Sequence, residues 1–161
     1  RGQMGIGDRT DGGLYFTEAG ETVKRFHTLD GHSIKLLQRA GITAAVVSGR
    51  DSPALRVRLA ALGVTQIRLG TEDKRPAAED ILAELGLDWS AVAAMGDDWP
   101  DLPLLRRAAF ACAPAGAHAE VLALAHHVTT RAPGSGAVRE LCDLLLVASN
   151  HYAAEVEAAA R

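Results

Sequence analysis

The sequence predicts an α/β fold: a mostly parallel sheet with helices on both faces. Short apolar runs recur along the chain, and stretches with helical spacing and closing glycines lie between them. Two of the runs, Ile42 to Val47 and Ala91 to Met95, are apolar or near-apolar throughout, as strands covered on both faces are. Polar clusters follow the runs: Ser48-Gly49-Arg50, then Gly70 to Lys74, then Gly96-Asp97-Asp98. Strand–helix repeats of this kind build a three-layer, Rossmann-like sheet whose site lies at the carboxyl ends of its strands. The chain reads as a single domain over residues 1–161, with 1–9 atypical and 149–161 a C-terminal tail.

Taken in order, residues 1–10 (RGQMGIGDRT) have no period and three glycines, so they read as irregular. Gly13 to Thr17 and Thr22 to Phe26 flank a turn and read as a β-hairpin. Asp30 stands where an N-cap belongs, before a helix from His32 to Ala40 that Gly41 stops. The strand at 42–47 follows. Ser52 caps a helix with Pro53 in its first turn, ending at Gly63. Val64 to Leu69 is a strand, Pro76 to Leu85 a helix closed by Gly86, and Ala91 to Met95 a strand. A short helix is expected over Asp101 to Arg107, a strand over Ala109 to Ala113 and a helix over Ala117 to Ala125. A last strand covers His127 to Thr130, and a final helix runs from Ala137 to Ala148, with the tail extending it.

Composition narrows the functional classes. The 161 residues carry 17 basic and 20 acidic side chains, a net charge of −3, which is not the clustered basic excess of a nucleic-acid binder. No apolar run approaches the roughly 18 residues of a membrane span, and the N-terminus lacks the layout of a signal peptide. Cys112 and Cys142 form no paired motif and read as reduced, buried thiols in a cytoplasmic protein.

Three clusters can carry chemistry. In Gly96-Asp97-Asp98-Trp99-Pro100-Asp101, three carboxylates follow a buried strand, and oxygen donors of this kind suit a hard cation such as Mg2+. Helix capping explains Asp98 or Asp101 equally well. It does not explain Asp97, an acid at the mouth of an apolar strand that is costly to bury without a partner. Ser48-Gly49-Arg50 offers a hydroxyl and backbone N–H groups at a helix start, where an anionic oxygen can bind, or an ordinary polar turn. Lys74 opens a helix, where a positive charge is electrostatically misplaced unless an anion lies nearby; a solvated loop charge is the plainer reading. The six histidines read as structural or surface residues.

The order of these motifs resembles the capless branch of the haloacid dehalogenase superfamily, most closely its members that hydrolyse 3-deoxy-D-manno-octulosonate 8-phosphate. The matching stretches are Thr10 to Tyr15, Lys24-Arg25-Phe26, Asp30-Gly31-His32, Ser48-Gly49-Arg50, Gly96 to Pro103 and Gly136 to Glu140. The resemblance implies a Mg2+-dependent phosphatase of lipopolysaccharide precursor synthesis, acting on a small phosphorylated sugar acid. It assigns catalysis to Ser48 and Lys74, and substrate binding to Ser48, Gly49, Arg50 and Lys74. The metal falls to Asp97, helped by Asp98 and Asp101. It also implies a homotetramer built through the hairpin, with no nucleic-acid or membrane partner. The chain departs from the family in its first motif. Alignment on Thr10-Asp11-Gly12 puts Met4 and Ile6 where the family carries its nucleophilic Asp and its acid/base Asp, which implies as an alternative a catalytically silent binding or assembly module. Asp8, the nearby acid outside the matched motif, reaches the nucleophile's place only with a four-residue deletion. Leu29 stands where the family commonly has Arg.

Overall fold

The strands run β1 (Gln3–Ile6), β2 (Tyr15–Thr17), β3 (Gly20–Val23), β4 (Thr43–Ser48), β5 (Gln66–Leu69), β6 (Val92–Met95), β7 (Phe110–Ala113) and β8 (His127–Val128). The helices are α1 (Thr28–Arg39), α2 (Pro53–Ala61), α3 (Lys74–Leu85), α4 (Leu102–Leu105), α5 (Ala119–Leu124), α6 (Ala137–Ala148) and α7 (Tyr152–Ala159). The structure, a computed structural model, describes the backbone of residues 3–6 and residues 15–161.

Six strands form one sheet in the order β5-β4-β1-β6-β7-β8, and every neighbouring pair is parallel. β2 and β3 form a separate antiparallel hairpin. Alternate side chains of the sheet feed two apolar layers, as a period of two requires. Ala44 and Val46 of β4, Met95 of β6 and Cys112 of β7 meet Ile34 and Leu37 of α1, Leu55 and Leu59 of α2, and Leu141 and Leu146 of α6. On the other face, Ala45 and Val47 meet Ile81 of α3. Ala94, Ala111 and Ala113 meet Leu82 of α3, Leu105 of α4 and Val121 of α5. The expected three-layer α/β architecture is therefore present. Small alanines in the strands let the helices approach closely. Cys112 and Cys142 are buried and not joined in a disulfide, and no helix among the described residues is long and apolar enough to cross a membrane.

Four expectations need correction. Residues 3–6, read as irregular, form the central strand: β1 pairs with β4 on one side and β6 on the other. Four residues with a glycine carry no apolar run of their own, so the flanking strands supply the pairing that the local sequence does not announce. Asp30 is not an N-cap. α1 starts earlier, at Thr28, and the His27 ring accepts the Leu29 N–H. Asp30 is instead buried, and its Oδ1 accepts the Arg139 N–H at 2.9 Å. That N–H is one of the unpaired donors of α6's first turn, and Gly136, the N-cap of α6, has no side chain to satisfy it. Asp30 thus caps a helix 109 residues away. The segment expected as one helix over Asp101 to Arg107 is a 3-10 turn, Trp99–Asp101, leading into the shorter α4. The tail does not extend α6. Asn150 adopts φ 60, and α7 restarts beyond it, tied to α1 by the Arg39–Glu155 ion pair.

The far edge of the sheet is closed by Glu140 of α6. Its carboxylate accepts from the Thr130 N–H and hydroxyl and the Arg131 N–H, and meets His127 Nε2 at 3.1 Å. Burial pushes its pKa up, but these hydrogen bonds outweigh it and hold the carboxyl below its ordinary value.

Candidate active site

The carboxyl ends of β4, β5 and β6 carry the polar clusters singled out in the sequence. Ser48 is the last residue of β4 and only 1% exposed. Its Oγ accepts the Arg50 N–H at 3.1 Å, so the hydroxyl proton is left to donate to an anion. Gly49 and Arg50 are exposed just beyond it. β5 is paired to β4 with Leu69 level with Ser48. Gly70 then takes φ 72, a left-handed turn that suits glycine, and the Thr71 N–H donates to the Ser48 carbonyl at 3.2 Å. Asp73 caps α3 by accepting the Arg75 N–H. This turn leads from the end of β5 into α3, whose first residue is Lys74.

Lys74 is 8% exposed and Asp101 5%, and Lys74 Nζ donates to Asp101 Oδ1 at 2.6 Å. The pair answers the question the sequence raised about a lysine at a helix start: a buried carboxylate offsets a cation that the helix dipole and burial both disfavour. An ammonium has three donors, so Lys74 keeps capacity for a second anion. Asp101 Oδ2 accepts the N–H groups of Asp97 and Asp98, at 3.0 and 3.4 Å. Both oxygens of Asp101 are thus engaged within the protein. Gly96 permits this packing, since a Cβ there would stand 2.2 Å from Asp101 Cβ. Asp97 and Asp98 are exposed. The Asp98 side chain accepts the Trp99 N–H, and the Asp97 carbonyl accepts the His118 N–H. The three carboxylates of the cluster therefore divide: two face solvent, and one is the internal counter-charge of Lys74.

β1 lies between β4 and β6, so Ser48 and Asp97 are separated by two strand spacings, about 10 Å across the sheet. Its register revises the reading of the first motif. Met4 pairs with Ala44 and Ala93, and Ile6 with Val46 and Met95. At about 3.3 Å per residue, the Met4 backbone lies some 13 Å along the strand from the level of Ser48 and Asp97. A residue that attacks a phosphoryl group held by Ser48 cannot occupy that level. The strand register therefore runs against an ungapped equation of Met4 and Ile6 with the family's catalytic pair. Asp8 and Asp11 lie outside the described residues.

Among the described residues no three or more His, Cys, Asp or Glu side chains form a cluster that could hold a metal. The donor set still fits Mg2+, which is commonly held by one or two carboxylates, with waters and substrate phosphate completing its shell. Asp97 and Asp98 are the two exposed carboxylates at the strand ends.

Sequence reasoning missed two features. One is Trp99, whose indole N–H donates to His118 Nδ1 at 3.0 Å. The other is the Lys74–Asp101 pair, whose partners lie 27 residues apart with no periodic signal between them.

Comparison with known proteins identifies the family. Residues 67–141 match the model of the haloacid dehalogenase-like hydrolases. The chain is 41% identical over 139 residues to the 3-deoxy-D-manno-octulosonate 8-phosphate phosphatase of Haemophilus influenzae, covering 86% of this chain and 77% of that protein. A probable yrbi family phosphatase from Pseudomonas syringae superposes with a TM-score of 0.96 at 40% identity, covering 99% of this chain and 92% of that one. The 3-deoxy-D-manno-octulosonate 8-phosphate phosphatase of Moraxella catarrhalis, solved with a magnesium ion, a phosphate ion and a KDO molecule, superposes with a TM-score of 0.93 at 32% identity. It covers 97% of this chain and 91% of that one.

Proposed function

The chain belongs to the haloacid dehalogenase-like hydrolases, as a phosphomonoesterase of that family, and on this footing we propose that it hydrolyses 3-deoxy-D-manno-octulosonate 8-phosphate with Mg2+. The observation that supports the reading is the buried Lys74–Asp101 pair, which ties Lys74 to the backbone of Asp97, in a sheet where Ser48 ends β4.

Phosphoryl transfer asks little covalent chemistry of a protein and much positioning and charge stabilisation. The Ser48 hydroxyl donates to one phosphoryl oxygen. Lys74 Nζ donates to another, and Asp101 keeps it aimed. Gly49 and Arg50 bring backbone N–H groups and a guanidinium to the same anion. Asp97 and Asp98 would hold the metal, which supplies charge neutralisation at the phosphate when bound. We assign the attack to an acid that follows β1, and to Asp8 before Asp11, because Asp8 follows Met4 in sequence by the same four residues that separate Ser48 from Ala44, the partner of Met4. Release of inorganic phosphate from this substrate, set against glycerol 3-phosphate and a hexose 6-phosphate, tests the reading.

The same reading makes the hairpin an interface of a homotetramer. Tyr15, Phe16 and Val23 are 53%, 66% and 58% exposed, and a lone two-stranded hairpin is marginal in water. Light scattering at micromolar concentration is expected to give about four times the 16.9 kDa chain mass. A monomer mass contradicts the assembly and leaves the chemistry untouched.

A further inference from the structure

Trp99 stands one residue beyond Asp98, at the rim of the carboxylate cluster, and is 60% exposed. An exposed indole usually keeps its N–H in water. Here the N–H is taken by His118 Nδ1 at 3.0 Å, and the two rings meet edge to face, centroids 5.2 Å apart and planes at 76°. His118 itself is fixed. Its N–H donates to the Asp97 carbonyl at 2.9 Å, and its Nδ1 also accepts the Glu120 N–H at the start of α5. The indole is therefore tied to the backbone that carries Asp97.

An aromatic ring immobilised through its polar edge presents only apolar surface to solvent. What suits the ring is a neutral face of C–H groups on a molecule whose charges are held elsewhere. A sugar acid phosphorylated at the end opposite its carboxylate has that form: with its phosphate at Ser48 and Lys74, the uncharged middle of its carbon skeleton extends over the rim.

Resting on the proposed sugar-acid phosphatase reading, we propose that Trp99 is a specificity-determining residue that packs against the carbon skeleton of the substrate, with His118 as the positioning residue that holds the ring. Glycerol 3-phosphate, with three carbons, gains little from such a surface, so the residue acts on the choice between substrates.

The test is the ratio of kcat/KM for 3-deoxy-D-manno-octulosonate 8-phosphate to that for glycerol 3-phosphate. Trp99→Ala is expected to lower this ratio about fivefold to tenfold, as the loss of one aromatic packing contact predicts, and Trp99→Phe, which keeps a ring but loses the N–H held by His118, to fall between Trp99→Ala and the parent. An equal fall for both substrates, or a ratio within twofold of the parent, overturns the proposal. A ratio unchanged while Trp99→Ala lowers the solution mass also overturns it, because the ring then serves a second copy of the chain. A binding measurement separates this proposal from the phosphatase reading. In a Trp89→Phe background, Trp99 is the remaining tryptophan. Saturable change of its fluorescence on titration with the free sugar acid is expected even in a chain that releases no phosphate. No change while calorimetry shows binding contradicts the role assigned to Trp99; no binding by either measurement contradicts the sugar-acid reading itself, and the role with it.

Discussion

Asp101→Asn is expected to lower the unfolding free energy by about 3 kcal/mol, the typical cost of leaving one partner of a buried ion pair uncompensated. Lys74 is the charge left behind: it is 8% exposed, and its Nζ lies 2.6 Å from Asp101 Oδ1. The change is isosteric, so the close packing against Gly96 is kept and the effect reads the charge rather than a cavity. Urea denaturation measures it. Turnover is expected to fall about a hundredfold as well, because Lys74 loses the group that aims its ammonium. Lys74→Met combined with Asp101→Asn separates the two effects. With no buried cation left, most of the lost stability should return while turnover stays low. Asp101→Asn within 1 kcal/mol of the parent would mean that the buried pair does not carry the weight assigned to it.

Asp8→Asn is expected to reduce phosphate release by about a thousandfold or more, since removing the nucleophile of a covalent mechanism costs at least this much. Asp11→Asn is expected to keep measurable turnover. The distinction comes from the register of β1, in which Met4 and Ile6 are level with Ala44 and Val46 and so fall short of Ser48. Full activity in Asp8→Asn would contradict that assignment. An inert parent chain that gains turnover when residues 1–9 are replaced by an apolar strand ending in Asp-Val-Asp-Gly would place the defect in the first motif and reinstate the reading of Met4 and Ile6.

Much of the architecture was legible because it is written in local pattern. The buried strand before Ser48, the Ser52–Pro53 helix start and the Gly86 helix stop are signals within a few residues, and each stands where expected. The polar ends of those strands were legible for the same reason, so Ser48, Lys74 and Asp97 stood out as candidates, and the family resemblance gave them their expected roles. What stayed hidden depends on contacts between distant segments. β1 is a strand because two longer strands flank it. Asp30 looked like a local cap, yet its partner is the N-terminus of α6. Asp101 was legible as a capping residue, and its carboxylate does accept the Asp98 N–H in a capping box, but its ion pair with Lys74 of a different strand–helix unit was not. Trp99 carried no signal at all, because its anchor, His118, lies 19 residues away on the far side of β7.

The measurement that bears most directly on the whole account is release of inorganic phosphate from 3-deoxy-D-manno-octulosonate 8-phosphate by the purified chain. It is run with Mg2+, with a chelator, and with Mg2+ restored, alongside Asp97→Asn. The account predicts release that the chelator abolishes and Mg2+ restores, and that Asp97→Asn lowers by at least a hundredfold while its unfolding curve stays near that of the parent. Release that ignores the chelator, full release by Asp97→Asn, or no release by a well-folded parent chain would contradict it.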